Sequence, residues 1–231
     1  DVNFGCPSKF VCNSKGGSIL LKDPEEVHKV LLTMRQHIPK HIPLTAKMRL
    51  GYEDKSLAIE NAQAIEAAGV SELCIHARTK VEGYKPPAHW QWIKKIKQHI
   101  SIPIIANGEI WTQQGYEKCR QASECDNIML GRGAVANPQL ALNIKSKNRE
   151  NDQTEHDWAK RLEDMLWMIN TTMEAGNIRF AADRIKQWLA YLKIIYPQAE
   201  SLFLEVKRFK TPEQMIQKLQ EEIARHCLEI S

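Results

Sequence analysis

The first 130 or so positions alternate between two hydrophobic periods. Short apolar runs read as buried strands at residues 1–4, 44–50, 72–76, 102–106 and 127–130. Between them, apolar residues return every three or four positions, as on one face of a helix. Val27, Val30, Leu31, Met34 and Ile38 form such a stripe. It follows Asp23-Pro24-Glu25-Glu26, which places Asp at the N-cap, Pro at N1 and Glu at N3. Residues 57–68 predict an alanine-rich helix closed by Gly69. Residues 89–100 predict a helix with Trp92, Ile93 and Ile96 on its apolar side, and residues 112–122 predict another. Residues 5–17, rich in Gly, Ser, Asn and Lys, read as a loop, and Asn137-Pro138 caps a short helix.

Strand and helix repeated with short connections predict a parallel sheet with helices packed outside it. Five strands suffice for a doubly wound sheet, whereas a (β/α)8 barrel needs eight. The polar stretch 145–157 reads as a linker. Beyond it, residues 158–174, 180–195 and 212–227 predict helices with no strand between them, the last opening with the capping box Thr211-Pro212-Glu213-Gln214. The expected organisation is an α/β domain over 1–150 and an all-α module over 151–231. In that module Trp158, Trp167 and Trp188 are expected core anchors. Asp1 opens the chain inside an apolar-rich segment, so the chain is expected to be a piece lacking a natural N-terminal part.

Composition narrows the class. Hydrophobic residues at 43% and charged residues at 26% over 231 positions are the balance of a globular chain, which argues against disorder. No run approaches the ~18 apolar residues of a membrane helix. The net charge of +4 is unevenly spread: residues 1–150 hold 21 basic against 15 acidic side chains, and the remainder holds 11 against 13. Charge alone therefore does not mark the helical module as a nucleic-acid binder. The six cysteines (Cys6, Cys12, Cys74, Cys119, Cys125 and Cys227) form no C-x-x-C, and no histidine pair stands at zinc spacing. Reduced thiols in a cytosolic protein are the expectation, with no metal.

Parallel α/β proteins bind ligands at the C-terminal ends of their strands. Those ends carry Asn3, Gly5 and Cys6; Lys47, Arg49 and Gly51; His76 and Arg78; Asn107, Gly108 and Glu109; and Gly131, Arg132 and Gly133. The last two groups bring glycine-rich turns to adjacent strand ends, where backbone can approach an anion closely. A barrel places its phosphate site after its last two strands. If those are the strands at 102–106 and 127–130, three strands are missing before Asp1 and the count closes at eight. Lys47 stands inside an apolar strand, where a charge needs a partner or a route to water. Cys6, between Gly5 and Pro7, is placed to donate a proton or to attack. In the module, Arg184, Lys186, Lys207, Arg208 and Lys210, with Tyr191, are candidates for a phosphate-contacting face.

Together these pieces have a recognisable order. Asn3-Phe4-Gly5-Cys6-Pro7-Ser8 resembles the N-x-G-C-P motif of the tRNA-dihydrouridine synthases. Lys47-Met-Arg49-Leu-Gly51, His76-Ala-Arg78-Thr79, Asn107-Gly108-Glu109-Ile110 and Gly131-Arg132-Gly133 follow with that family's spacing. Arg184-Ile-Lys186-Gln-Trp188-Leu with Tyr191-Leu192 resembles the C-type bacterial subgroup, which modifies uridine 16 of tRNA. Ala77 stands where close relatives often carry Gly.

The resemblance implies a TIM-type (β/α)8 barrel holding FMN, here without its first three strands, followed by a helical tRNA-binding domain. It implies that Cys6 donates a proton to C5 of the uracil, and that NADPH-reduced FMN gives hydride to C6. Lys47 and His76 are implied flavin contacts, with Asn107, Gly108, Glu109, Gly131 and Arg132 around the FMN phosphate. Asn3 and Tyr84 are expected near the target base, and Arg184, Lys186, Tyr191 and Lys207 on the tRNA. A cytoplasmic monomer acting on tRNA rather than DNA or a membrane is the corresponding expectation. The flipped-out base that such chemistry needs fits the family. The alternatives are a flavin barrel acting on a free pyrimidine or enone, and a non-catalytic tRNA-binding fragment. The 231-residue chain alone is expected to be inactive and a poor binder of FMN.

Overall fold

The computed structural model describes residues 1–146 and 154–229. Most of the polar stretch read as a linker lies outside the described residues, as does the side chain of Cys227. The chain divides into two compact units, Asp1–Gly131 and Arg132–Ser231.

The first unit holds five strands: β1 (Val2–Phe4), β2 (Thr45–Arg49), β3 (Glu72–His76), β4 (Ile104–Asn107) and β5 (Asn127–Met129). All neighbours are parallel, and the order is β1-β2-β3-β4-β5. A doubly wound sheet reverses its strand order at a switch point; this sheet does not. Helices α1 (Lys9–Asn13), α2 (Pro24–His37), α3 (Ala58–Ala67), α4 (Trp90–Lys97) and α5 (Gln113–Ser123) fill the connections, with a 3₁₀ turn at Gly17–Lys22. From α2 to α5, each helix packs beside the next.

Side chains alternate across a strand, so each register row lies on one face. Phe4, Met48, Ile75 and Ala106 form one row, and Ala46, Leu73 and Ile104 another; all are buried with Val27, Leu31, Ile65, Ile93 and Ile96 of the helices. The opposite face carries Asn3, Lys47, Cys74, Ile105 and Asn127, then Arg49, His76, Asn107 and Met129. It is the polar and partly open face: Asn3 and Asn127 are exposed, and Lys47 and Ile105 half-buried.

Local signals in the sequence have clear counterparts. The Asp23 carboxylate accepts from the N–H groups of Glu25 and Glu26, with Pro24 at N1. Gly69 takes a φ of +81° after α3. The stripe on α2 is narrower than its spacing implied: Val27 and Leu31 are buried, but Met34 is exposed. The loop expected at 5–17 contains α1.

The second unit contains α6 (Arg132–Ala136), α7 (Leu140–Ser146), α8 (Thr154–Glu174), α9 (Ile178–Leu192), α10 (Pro197–Val206) and α11 (Pro212–Glu229). Its core joins Trp158, Leu162, Met165 and Ile169 of α8 to Ile185, Leu189 and Leu192 of α9, Leu202 of α10 and Leu219 of α11. The contact boundary therefore falls at 131/132 rather than at the compositional break near 150, because α6 packs on α9. Trp188 Nε1 donates to the Val135 carbonyl at 2.8 Å. Trp167, expected in the core, is 70% exposed; it follows the buried Met165 by two residues, about 200° around the helix. The box at Thr211 is half formed. Thr211 Oγ1 accepts from Gln214 N, but Gln214 Oε1 turns to Lys210 N. Helix α10 was not predicted. Pro197 at its N1 is the signal that could have announced it.

Candidate active site

The polar face collects most of the strand-end residues singled out in the first unit. Asn3 is opposite Lys47, Lys47 opposite Cys74, Arg49 opposite His76, and His76 opposite Asn107. Gly131 follows β5 beside Asn107; a Cβ there would lie 4.0 Å from Asn107 Nδ2. Arg132, Arg184, Lys186, Tyr191 and Lys207 belong to the second unit.

Lys47 is half-buried and has no carboxylate partner among the described residues. Burial lowers its pKa, the nearby Cys74 thiol opposing this and Arg49 adding to it. Cys74 itself is pushed up to about 11 by burial, so its thiol stays neutral. Its Sγ rests 3.5 Å from Met129 Sδ, which makes it packing beneath the Arg49–His76–Asn107 row.

Arg49 is a tie between loops. Its Nε donates to the Gly5 carbonyl at 2.9 Å, and Nη1 donates to the carbonyls of Thr79 (3.0 Å) and Gly83 (2.9 Å). It thereby joins the end of β1, next to Cys6, to the loop after β3. Its guanidinium lies 5.2 Å from the Tyr84 ring centroid, and that ring lies 6.0 Å from the His76 ring. Tyr84 is 52% exposed. Burial lowers the pKa of Arg49, with Tyr84 opposing the shift.

Cys6 is partly exposed and its backbone is anchored. Its carbonyl accepts from Ser18 Oγ at 2.8 Å, from Ser18 N at 3.1 Å and from the buried Cys12 thiol at 3.7 Å. Nothing in the local sequence distinguished Cys12 or Ser18, because both act across a chain reversal. The Asn3 side-chain oxygen accepts from Gly5 N at 2.8 Å and shapes the turn into Cys6. Cys6, Cys12, Cys74, Cys119 and Cys125 are free thiols.

The β4 end is a strained turn. Gly108 has φ +122°, and a Cβ on it would meet His76 Cδ2 at 2.9 Å. Its carbonyl accepts from Trp90 Nε1 at 2.8 Å. Glu109, also at positive φ, is ion-paired with the fully buried Arg78 and accepts from Trp111 Nε1 at 2.8 Å. The Asn107 amide donates to the Met129 carbonyl at 2.8 Å. The Glu109 and Asn107 side chains thus hold the turn and the β4–β5 join.

In the second unit Arg184 and Lys207 are exposed and Tyr191 half-buried. Arg184 and Tyr191 are seven residues apart on α9 and share a side. Lys186 is about 200° from Arg184. Its Nζ donates to the Phe209 carbonyl at 2.7 Å and pairs with Asp183 at 2.8 Å. The basic cluster expected from sequence is therefore split between two sides of the helix. Among the described residues no helix is long and apolar enough to cross a membrane, and no cluster of three or more His, Cys, Asp or Glu stands ready for a metal.

A parallel α/β unit with a loop cysteine, a lysine, a histidine and glycine turns at consecutive strand ends is an enzyme-like class of site. The comparisons make the class specific. The family model described as dihydrouridine synthase (Dus) matches residues 1–228. A tRNA-dihydrouridine(16) synthase of Shewanella oneidensis is 46% identical over 228 residues, covering 99% of this chain and 70% of that protein. One of Aquipseudomonas alcaligenes is 44% identical, covering 95% of this chain and 70% of that protein. One of Neisseria meningitidis serogroup A is 45% identical, covering 93% and 65%. The chain belongs to the dihydrouridine synthase family.

Proposed function

We propose that this protein reduces uridine to 5,6-dihydrouridine in tRNA, at position 16, using FMN reduced by NADPH. Family membership over residues 1–228 supports the reaction, and the relatives' names support the position. The observation that carries the site is the shared sheet face of Lys47, Arg49 and His76, with Arg49 tying the Cys6 turn to the Tyr84 loop.

The residues fit a planar heterocycle rich in carbonyls. Lys47 offers a half-buried ammonium without a carboxylate partner among the described residues, and Gly108 lets the β4 turn pack directly against the His76 ring, where a Cβ would meet Cδ2 at 2.9 Å. Lys47 and His76 would hold the flavin. Asn107, Gly108, Glu109, Gly131 and Arg132 would surround its phosphate, Glu109 through its turn rather than its committed carboxylate. The bound cofactor supplies hydride to C6 of the uracil.

The chain's own part is the proton and the position. The Cys6 thiol gives its proton to C5, completing addition of two hydrogens across the C5–C6 double bond. Ser18 and Cys12 fix the Cys6 backbone for that transfer. Asn3 and Tyr84 receive the flipped base, while Arg184, Tyr191 and Lys207 contact the tRNA backbone, with Lys186 bracing α9. We further propose that the sheet is a five-strand sector of a (β/α)8 barrel. Its sequential order and two unpaired edges support this reading.

The test uses the full-length protein. NADPH should bleach a flavin spectrum, and unmodified tRNA should restore it with dihydrouridine appearing at position 16. Purification without flavin, or equal turnover of free uridine, would overturn the proposal.

A further inference from the structure

The loop between β3 and α4 carries Tyr84, and one carboxylate in it has an unusual set of partners. Glu82 Oε1 accepts from Lys55 Nζ at 2.5 Å and from His89 Nε2 at 3.0 Å. Oε2 accepts from Thr79 N at 2.7 Å, while Glu82 N donates to Thr79 Oγ1 at 3.2 Å. These partners come from three places: the segment before α3, the residue before α4, and the first turn of the loop itself. The adjacent Gly83 carbonyl is held by Arg49, and Tyr84 follows. Its ring projects toward solvent between Arg49 and His76.

We propose that Glu82 is a positioning residue for tRNA recognition, fixing the loop so that Tyr84 stands over the strand ends where the target base enters. This rests on the reading of Tyr84 as a base contact. Geometry carries the argument. Pinning a loop by side-chain pairs costs ordering entropy, which the contacts together must offset. Here the 79–84 segment is pinned from β2 by Arg49, from the α3 side by Lys55 and from the α4 side by His89. An isolated surface pair contributes little, but this carboxylate is only 29% exposed and accepts three donors, which sets the chain path at the residue before Gly83. Freed of Glu82, the loop would keep Tyr84 but lose its preset orientation, and binding tRNA would have to supply the ordering.

The experiment compares full-length, flavin-loaded wild type with Glu82→Ala, Glu82→Gln, Tyr84→Ala and the Glu82→Ala/Tyr84→Ala double variant. Flavin reduction by NADPH without tRNA is measured separately from tRNA-dependent reoxidation. The expected result is a KM for tRNA raised about tenfold in Glu82→Ala with the NADPH half-reaction unchanged. Glu82→Gln, which keeps an acceptor oxygen, should fall between it and wild type. The double variant should be no worse than Tyr84→Ala, because Glu82 acts through Tyr84. A silent Glu82→Ala, equal loss in both half-reactions, or additive effects in the double variant would overturn the positioning role while leaving Tyr84 in place. A silent Tyr84→Ala would instead remove the base-contact reading, and this proposal with it. If Glu82→Ala does not fold, the Glu82→Gln and Tyr84→Ala comparison decides by the same criteria.

Discussion

At the scale of single residues, the site depends on groups whose neighbours are fixed before any ligand arrives. Cys6 is anchored through its carbonyl rather than its thiol, which leaves Sγ available. Cys6→Ala in the full-length protein should abolish dihydrouridine formation while tRNA binding, followed by filter retention, survives. Wild-type turnover in that variant would refute the proton-donor role. Gly108→Ala should cost about 1–3 kcal/mol in stability and also weaken flavin retention, since it adds strain at positive φ and drives a methyl into His76. Urea unfolding and flavin content after gel filtration check the two effects.

Glu82 adds a pH signature. Burial pushes its pKa up, but the hydrogen bonds from Lys55 and Thr79 N and the charges of Lys55 and His89 outweigh this and hold it below the ordinary value. A depressed carboxylate stabilises the fold above its unfolded pKa of about 4.3 and loses that contribution as pH falls through the lower folded pKa. Stability of the wild type should therefore fall on acidification from about pH 5, and Glu82→Gln should show a shallower fall.

At the scale of elements, helix caps were the most legible features. Asp23-Pro24 announced α2 and does cap it. Asp23→Ala should cost about 1 kcal/mol, read as a lower urea midpoint at unchanged slope. Ile185, Leu189 and Leu192 share one side of α9 and are buried, and Leu189→Ala should cost about 2–5 kcal/mol. The same helix shows where sequence proximity misleads. Arg184 and Lys186 are neighbours in a string and nearly opposite on a helix. Arg184→Glu should weaken tRNA binding and flatten its salt dependence. Lys186→Glu should instead act on folding, by losing the Phe209 carbonyl. Equal salt slopes in both variants would contradict this division.

At the scale of the whole molecule, the two units have separate cores, and among the described residues β1 and β5 are each paired on one side only. Unpaired edges expose backbone donors and acceptors. Edge-to-edge association is the expected consequence, read as an apparent mass that rises with concentration in light scattering.

The sequence determined the elements that need only local information. Alternating periods placed five strands, Asp23 and Gly69 marked helix ends, and the strand-end residues from Asn3 to Gly131 could be expected on one edge, because in a parallel sheet every strand delivers its end to the same edge. The tertiary structure alone decided what those residues do to each other. That Arg49 is spent on three carbonyls, that Glu109 answers Arg78, that Cys12 and Ser18 anchor Cys6, and that Trp167 faces water are pairings between segments or rotations about an axis. The linear order leaves them open because a side chain's partner is chosen by packing in three dimensions, where residues 2, 12 or 44 positions apart compete on equal terms.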